Sequence, residues 1–255
     1  MEIKVTMQGY LIYATMIAMF SAGLLMPWKK TRVLGWAAYT AGAILAAVSF
    51  AWRWSVVGHV PMKDMFEALL LAGALVYPMT LLARRVGAHL EAADPWLALV
   101  FLFPTGFVLS DAPAQLPPIL NSPLFVPHVL CYMLAYALIA KATFHSVRQL
   151  ASANPTFEPA ACRLVRLAFP LLTAGLVLGC WWGHLAWTRH WNWDPKELLS
   201  LAGWLMVLVY LHVRSLLIRR PRTLSVIILL AMGLMVLTLL ANFLPIFQGL
   251  HSYAT

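Results

Sequence analysis

The chain has 255 residues, of which 62% are hydrophobic and only 11% charged. Soluble domains carry about 25% charged residues, so this composition excludes an ordinary soluble protein and predicts several membrane spans. The net charge of +9 comes without a basic stripe interleaved with aromatic residues, which argues against nucleic-acid binding and predicts cationic loops at one membrane face. We expect one integral membrane domain over residues 1–255.

Eight apolar stretches in chain order predict an all-α, polytopic membrane helix bundle of about eight transmembrane helices. They cover about 7–26, 33–51, 65–83, 96–110, 124–146, 165–181, 198–218 and 224–246. The fourth stretch is short. The first lacks the basic leader and cleavage site of a signal peptide, so we expect it to be retained as a span.

The cationic residues predict an orientation. Lys and Arg concentrate in and around the loops that follow the first, third, fifth and seventh stretches, where 13 of the 18 in the chain lie. By the positive-inside rule these loops are cytoplasmic, and both termini lie on the outer side. His89 and His145 are then expected to be solvated at the cytoplasmic face. The outer face would carry residues 52–64, 111–128, 182–197 and 247–255.

Tryptophan is concentrated in one outer segment, 181–197, which reads WWGHLAWTRHWNWDPKE. An interfacial aromatic belt places Trp at headgroup depth and is one interpretation. Five tryptophans within thirteen residues are dense for a belt, however, and favour an apolar platform on which a planar macrocycle can stack. These tryptophans are Trp181, Trp182, Trp187, Trp191 and Trp193.

Three histidines are candidates for binding a metal-containing ligand. His128 stands at the predicted outer start of the fifth span, and His251 lies beyond the outer end of the eighth. Two imidazoles with a stacking surface suffice to hold haem iron, although a single interfacial histidine more often binds only water. His212 lies within the seventh span, where an ionisable residue is a functional candidate. Its alternative role is a hydrogen bond across helices, or snorkelling with Arg214.

Asp194 and Glu197 predict a helix start. Asp194 precedes Pro195 and stands three residues before Glu197, which is the spacing of a capping box. For Asp194 this structural role and a role near a bound ligand are about equally favoured. The three cysteines form no CxxC motif, so neither a thiol–disulfide relay nor a zinc site is supported.

Several separated motifs resemble one family. The stretch WNWDPKE, from Trp191 to Glu197, resembles the WWD motif of haem-handling membrane proteins. The following span through Arg214 resembles the CcsA/ResC branch, which belongs to the system II cytochrome c synthase. GHVPMKDMFE from Gly58 and GLHSYA from Gly249 resemble further parts of that branch. Thr188 and His190 depart from the pattern, which has Gly and Tyr at these positions.

This resemblance implies that the chain holds haem b at the outer face and presents it for thioether attachment to CxxCH apocytochromes, with haem export as an additional task. His128 and His251 would be the outer axial ligands of the haem iron. His212 would bind haem within the membrane, with the second ligand supplied by a CcsB/ResB (Ccs1)-type partner. The residues lining the outer site would be Trp182, Trp187, Trp191, Trp193 and Asp194.

The same resemblance implies a haem–thioether ligase activity that requires the partner, with no catalytic residue assigned in this chain. The location would be the bacterial inner membrane, or the thylakoid membrane for a plastid protein. Two other functions are compatible with a polytopic membrane protein. A cytochrome b-like electron-transfer subunit would need histidine pairs at matched depth, and a small-molecule transporter would show broken helices in related halves.

Overall fold

The computed structural model describes residues 4–152, 156–217, 219–243, 247 and 249–251. Within these ranges the chain is helical and contains no strand, which confirms the predicted all-α bundle. Eight α-helices occur in this described part: α1 Met7–Leu25, α2 Arg32–Val57, α3 Met65–Arg85, α4 Asp94–Phe107, α5 Phe125–Ser152, α6 Phe157–Trp187, α7 Pro195–Val213 and α8 Pro221–Leu240.

Seven of these helices are long and apolar enough to cross a membrane. The exception is α4, which has 14 residues. At 1.5 Å per residue it extends about 21 Å, less than the roughly 30 Å of a hydrocarbon core. The orientation of the helices and the single domain over 1–255 stay predictions.

Several helices extend beyond the apolar stretches that predicted them, because hydropathy marks only the apolar centre of a helix. The largest difference is in α6, which has 31 residues and was expected only over 165–181. Trp182 and Trp187 therefore belong to the last two turns of this helix. It ends at Trp187 and is followed by the C-cap residue Thr188, whose φ of 62° is the left-handed conformation in which Gly is favoured.

The helices cluster into two compact units. The first comprises residues 1–84 and 90–117, and within it α1 packs against α2 and α4. Its core includes Ile12, Phe66, Leu70 and Leu102. A buried ion pair joins α2 to the start of α3: Arg53 Nε donates to Glu67 Oε1 at 2.9 Å, and both side chains are at most 2% exposed.

The second unit comprises residues 85–89 and 118–255. Within it α5 packs against α6 and α8, and α7 packs against α8. This antiparallel arrangement brings the start of α5, the end of α6, the start of α7 and the end of α8 to one end of the unit. At the opposite end Arg214 donates two hydrogen bonds to Glu158, at 2.8 and 3.0 Å.

The expectation that His145 is solvated was wrong. Its side chain is 2% exposed, because α5 continues to Ser152 and keeps this residue inside the helix packing. Lys141 and Gln149, four residues before and after it, are buried on the same helix. His89 is exposed, as expected.

We expect Glu67→Ala to lower the free energy of unfolding by about 3–5 kcal/mol, because it leaves the Arg53 charge buried without its carboxylate. The control is Arg32→Ala, since the Arg32 guanidinium is 57% exposed and lies 4.0 Å from Glu91. An exposed pair contributes at most about 1 kcal/mol. Thermal unfolding in detergent compares the two variants. Equal losses would contradict the prediction.

Candidate functional site

Trp182 stands at the centre of an aromatic cluster at the end of the second unit where α6 ends. Its side chain is almost fully buried, and its indole N–H donates to the carbonyl oxygen of Ile119 at 3.2 Å. The ring of His128 lies parallel to the indole within 15°, with centroids 6.0 Å apart. The ring of His251 lies 5.8 Å from the same indole. Trp182 therefore contacts two of the three candidate histidines, His128 and His251.

Trp187 completes this cluster. Its ring lies edge-on to Trp182 at 4.9 Å and edge-on to His251 at 4.8 Å. The two residues are five positions apart near the end of α6, so one helix presents both indoles to the tail that carries His251. Apart from its two imidazoles and the indole N–H groups, the cluster is apolar.

His128 is held by a backbone carbonyl. Its Nδ1 lies 2.8 Å from the carbonyl oxygen of Gly175 on α6. A carbonyl only accepts hydrogen bonds, so Nδ1 carries the proton and Nε2 carries the lone pair of the neutral ring. Tyr132, one turn further along α5, packs edge-on against the imidazole at 5.2 Å.

His251 is held by a carboxylate. Its Nδ1 lies 3.0 Å from Asp194 Oδ1, at the start of α7. The same carboxylate accepts backbone hydrogen bonds from Lys196, at 2.9 Å, and from Leu250, at 2.6 Å. With Nδ1 directed at Asp194, a bond from this ring to a metal would form at Nε2.

Asp194 and Glu197 form the predicted capping box at the start of α7, which is thereby confirmed. Glu197 accepts the backbone N–H of Asn192 and of Asp194, at 2.8 and 3.3 Å. Burial raises the pKa of the Asp194 carboxyl. The interactions with His251 and the N–H groups of Lys196 and Leu250 outweigh this effect, so the pKa lies below its ordinary value.

Trp191 and Trp193 lie apart from this cluster in the described contacts. Their rings pack edge-on against each other at 6.0 Å, and Trp193 is 68% exposed. Trp191 Nε1 and the neighbouring Asn192 Nδ2 are buried donors without a hydrogen-bond partner among the described residues. The five tryptophans therefore do not form one continuous surface.

His212 lies towards the other end of α7. It is exposed on the surface of this chain, and its Nδ1 lies 2.9 Å from the carbonyl oxygen of Leu208, one turn earlier. The carbonyl again directs the proton to Nδ1, so Nε2 is the nitrogen available to a ligand or partner.

His184 and His190 are both exposed, and their rings stack in parallel with centroids 4.2 Å apart. No contact described for either ring joins it to Trp182, His128 or His251. The structure therefore sets this pair apart from the aromatic cluster.

Two glycines on α6 position His128 and were not identified from the sequence. A Cβ added at Gly179 would lie 2.6 Å from His128 Cε1, and one at Gly175 would lie 3.0 Å from the Tyr132 ring. The signal that could have identified them is the GxxxG spacing, which allows close approach of membrane helices.

The donor set limits which ligands this site can take. Among the described residues there is no group of three or more His, Cys, Asp and Glu side chains able to hold a metal ion. Two imidazoles against an indole surface instead suit a planar, apolar metal complex, which supplies the remaining ligands itself.

Comparison with known proteins gives a consistent result. A sequence model of the cytochrome c assembly protein family matches residues 62–251. The cytochrome c biogenesis protein CcsA of Guillardia theta is 28% identical over 93% of this chain and 92% of its own length. CcsA of a strain of Prochlorococcus marinus is 29% identical over 82% of this chain and 80% of its own length.

We expect Gly179→Ala to destabilise the second unit by about 1–3 kcal/mol, because the added methyl group overlaps the His128 ring. The matched control is Gly233→Ala in α8, where an added Cβ meets nothing within 4 Å. This control should be neutral or stabilising, because Ala has the higher helix propensity. Thermal unfolding in detergent measures both. A Gly179→Ala protein as stable as the control would show that the ring moves aside without cost.

Proposed function

The chain belongs to the cytochrome c assembly protein family, and on this premise we propose that it holds haem b as a substrate and presents it for attachment to c-type cytochromes. Membership of the family indicates a role in cytochrome c biogenesis, and the seven candidate spans indicate a multi-pass membrane protein. The proposal assigns the aromatic cluster around Trp182 as the outer haem site.

The observation that carries this proposal is the placement of two imidazoles against one indole. His128 and His251 both contact Trp182, and each directs Nδ1 at an acceptor of its own. Metal-binding histidines typically have such a partner on the second nitrogen, which fixes the tautomer and the ring orientation. Both rings are therefore prepared to bind iron through Nε2.

Two buried donors in the segment between α6 and α7 would bind the polar edge of haem. The indole N–H of Trp191 and the side-chain amide of Asn192 are buried donors without a hydrogen-bond partner among the described residues. A buried donor without an acceptor is costly, so such groups often mark a ligand. The propionate carboxylates of haem are suitable acceptors, and they give Trp191 a role distinct from that of Trp182.

The chemistry is addition of a thiol to an alkene. The S–H group of each CxxCH cysteine adds across a haem vinyl group, so that sulfur bonds to one carbon and the proton goes to the other. This chain contributes mainly by fixing the position of haem, because alignment of the reactants lowers the entropic part of the barrier. Trp182 and Trp187 would support the macrocycle while His128 and His251 hold the iron.

A cavity beside the site gives the apocytochrome room to approach. It has a volume of ≈ 410 Å³, and its lining residues are Pro118, Ile119, Asn121, Ser122, Pro123, Leu185 and Ala186. Ile119 in this lining accepts the indole N–H of Trp182. An extended CxxCH segment in this cavity would lie next to the aromatic cluster.

His212 would bind haem at a second position, shared with a partner. It is exposed on α7, as are Leu205 and Val209, so this face of the helix is covered by lipid or by another protein. A membrane protein of the CcsB/ResB type would supply the second axial ligand there. Haem received at His212 would then move to the outer site, which is the export step implied by the resemblance.

We expect the complex of this chain with its CcsB/ResB-type partner to purify with haem that has two histidine ligands. His128→Ala and His251→Ala should each lose the absorption spectrum of the six-coordinate, low-spin outer haem. His184→Ala is the matched control, because His184 is exposed and stacks only on His190 in the described contacts. A complex without haem, or variants that keep an unchanged spectrum, would contradict the proposal.

We expect His212→Ala to remove a haem signal that depends on the partner. In the complex the variant should lose the haem of the inner position, whereas in this chain purified alone it should match the unsubstituted chain. Absorption spectra of both preparations measure this difference. A spectrum changed equally with and without the partner would contradict a shared site.

A further inference from the structure

The two proposed axial ligands have chemically different partners. His251 donates its Nδ1 proton to the carboxylate of Asp194, whereas His128 donates to the neutral carbonyl of Gly175. The two hydrogen bonds are similar in length, 3.0 and 2.8 Å, so the main difference is the charge of the acceptor.

The charge of the acceptor changes the ring as a ligand. A carboxylate draws the Nδ1 proton towards itself and raises the electron density at Nε2, which makes the imidazole a stronger donor to iron. A neutral carbonyl has the same effect to a smaller degree, because charge-assisted hydrogen bonds are roughly twice as strong as neutral ones.

The surroundings of Asp194 maintain it as an acceptor. Its side chain is 3% exposed and receives the N–H groups of Lys196 and Leu250 in addition to the imidazole. Gly249 permits this arrangement, because a Cβ at that position would overlap the carboxylate. The backbone N–H groups of Lys196 and Leu250 therefore orient the buried Asp194 carboxylate towards His251.

We propose that Asp194 is a positioning residue that makes His251 the stronger axial ligand and His128 the ligand that substrate displaces. This inference rests on the proposed haem site. In the exchange the bond between iron and His128 Nε2 breaks and a bond to the CxxCH histidine forms, with no change in oxidation state. The cavity is compatible with this direction of approach, because its lining residue Pro123 lies two residues before the start of α5, the helix that carries His128.

Asp194→Asn removes the charge with little change in shape. Its amide oxygen can still accept from Lys196 and His251, whereas its NH2 group replaces the oxygen that accepts from Leu250. Asn is as good an N-cap as Asp, so the start of α7 is retained. The control is Glu197→Gln, which removes a neighbouring charge from the same capping box without touching either histidine. In the haem-loaded complex we expect Asp194→Asn to raise the reduction potential and to weaken retention of ferric haem about 10–100-fold. The control should match the unsubstituted complex.

Double variants show through which histidine Asp194→Asn weakens haem retention. We expect His251→Ala to lose more haem than His128→Ala, and Asp194→Asn to weaken retention further in the His128→Ala background only. Equal losses from the two histidine variants, or an Asp194→Asn effect that is the same in both backgrounds, would overturn this inference while leaving the haem site in place. An unsubstituted complex that carries no haem would overturn the proposed function and this inference together.

Discussion

The proposed site depends on one buried carboxylate. Asp194 joins the first turn of α7, the tail at Leu250 and the ring of His251. A carboxylate in an apolar environment is costly unless its oxygens accept several hydrogen bonds. Each of these contacts therefore depends on the others. The tail is held by the same group that begins α7, and His251 takes its orientation from both segments.

His128 reaches the same cluster through helix packing. The glycines at 175 and 179 remove the side chains that would separate α5 from α6, so the imidazole can approach the backbone of α6 and bond to a carbonyl. His128 is thus positioned by the close packing of α5 against α6. His251 is positioned by the hydrogen bonds that Leu250 and its own ring make to the Asp194 carboxylate. Trp182 contacts the rings of both His128 and His251, and the hydrogen bond from its indole N–H to the carbonyl oxygen of Ile119 fixes the orientation of the indole.

The sequence predicts the periodic and local features well. Apolar stretches located the helices, and the spacing of Asp194 and Glu197 predicted the capping box, because both signals depend on neighbouring residues. The separation of the tryptophans into two groups was not predictable, since it depends on where α6 ends. Trp182 and Trp187 lie on this helix, whereas Trp191 and Trp193 follow it. The burial of His145 was missed because hydropathy marks an apolar stretch but does not show which face of the helix packs against its neighbours; Lys141 and Gln149 are buried on the same face of α5.

The two proposed haem positions are linked by α7. Asp194 and His212 are 18 residues apart, about 27 Å along a helix axis, which is close to the roughly 30 Å of a hydrocarbon core. The helix is held at one end by the Asp194 contacts and at the other by the Arg214–Glu158 pair. If α7 stays held at both ends, transfer of haem between the two proposed positions does not come from sliding of this helix. Transfer would instead require release near His212 and capture beside Trp182, along an exposed face of α7 that lipid or the partner must cover.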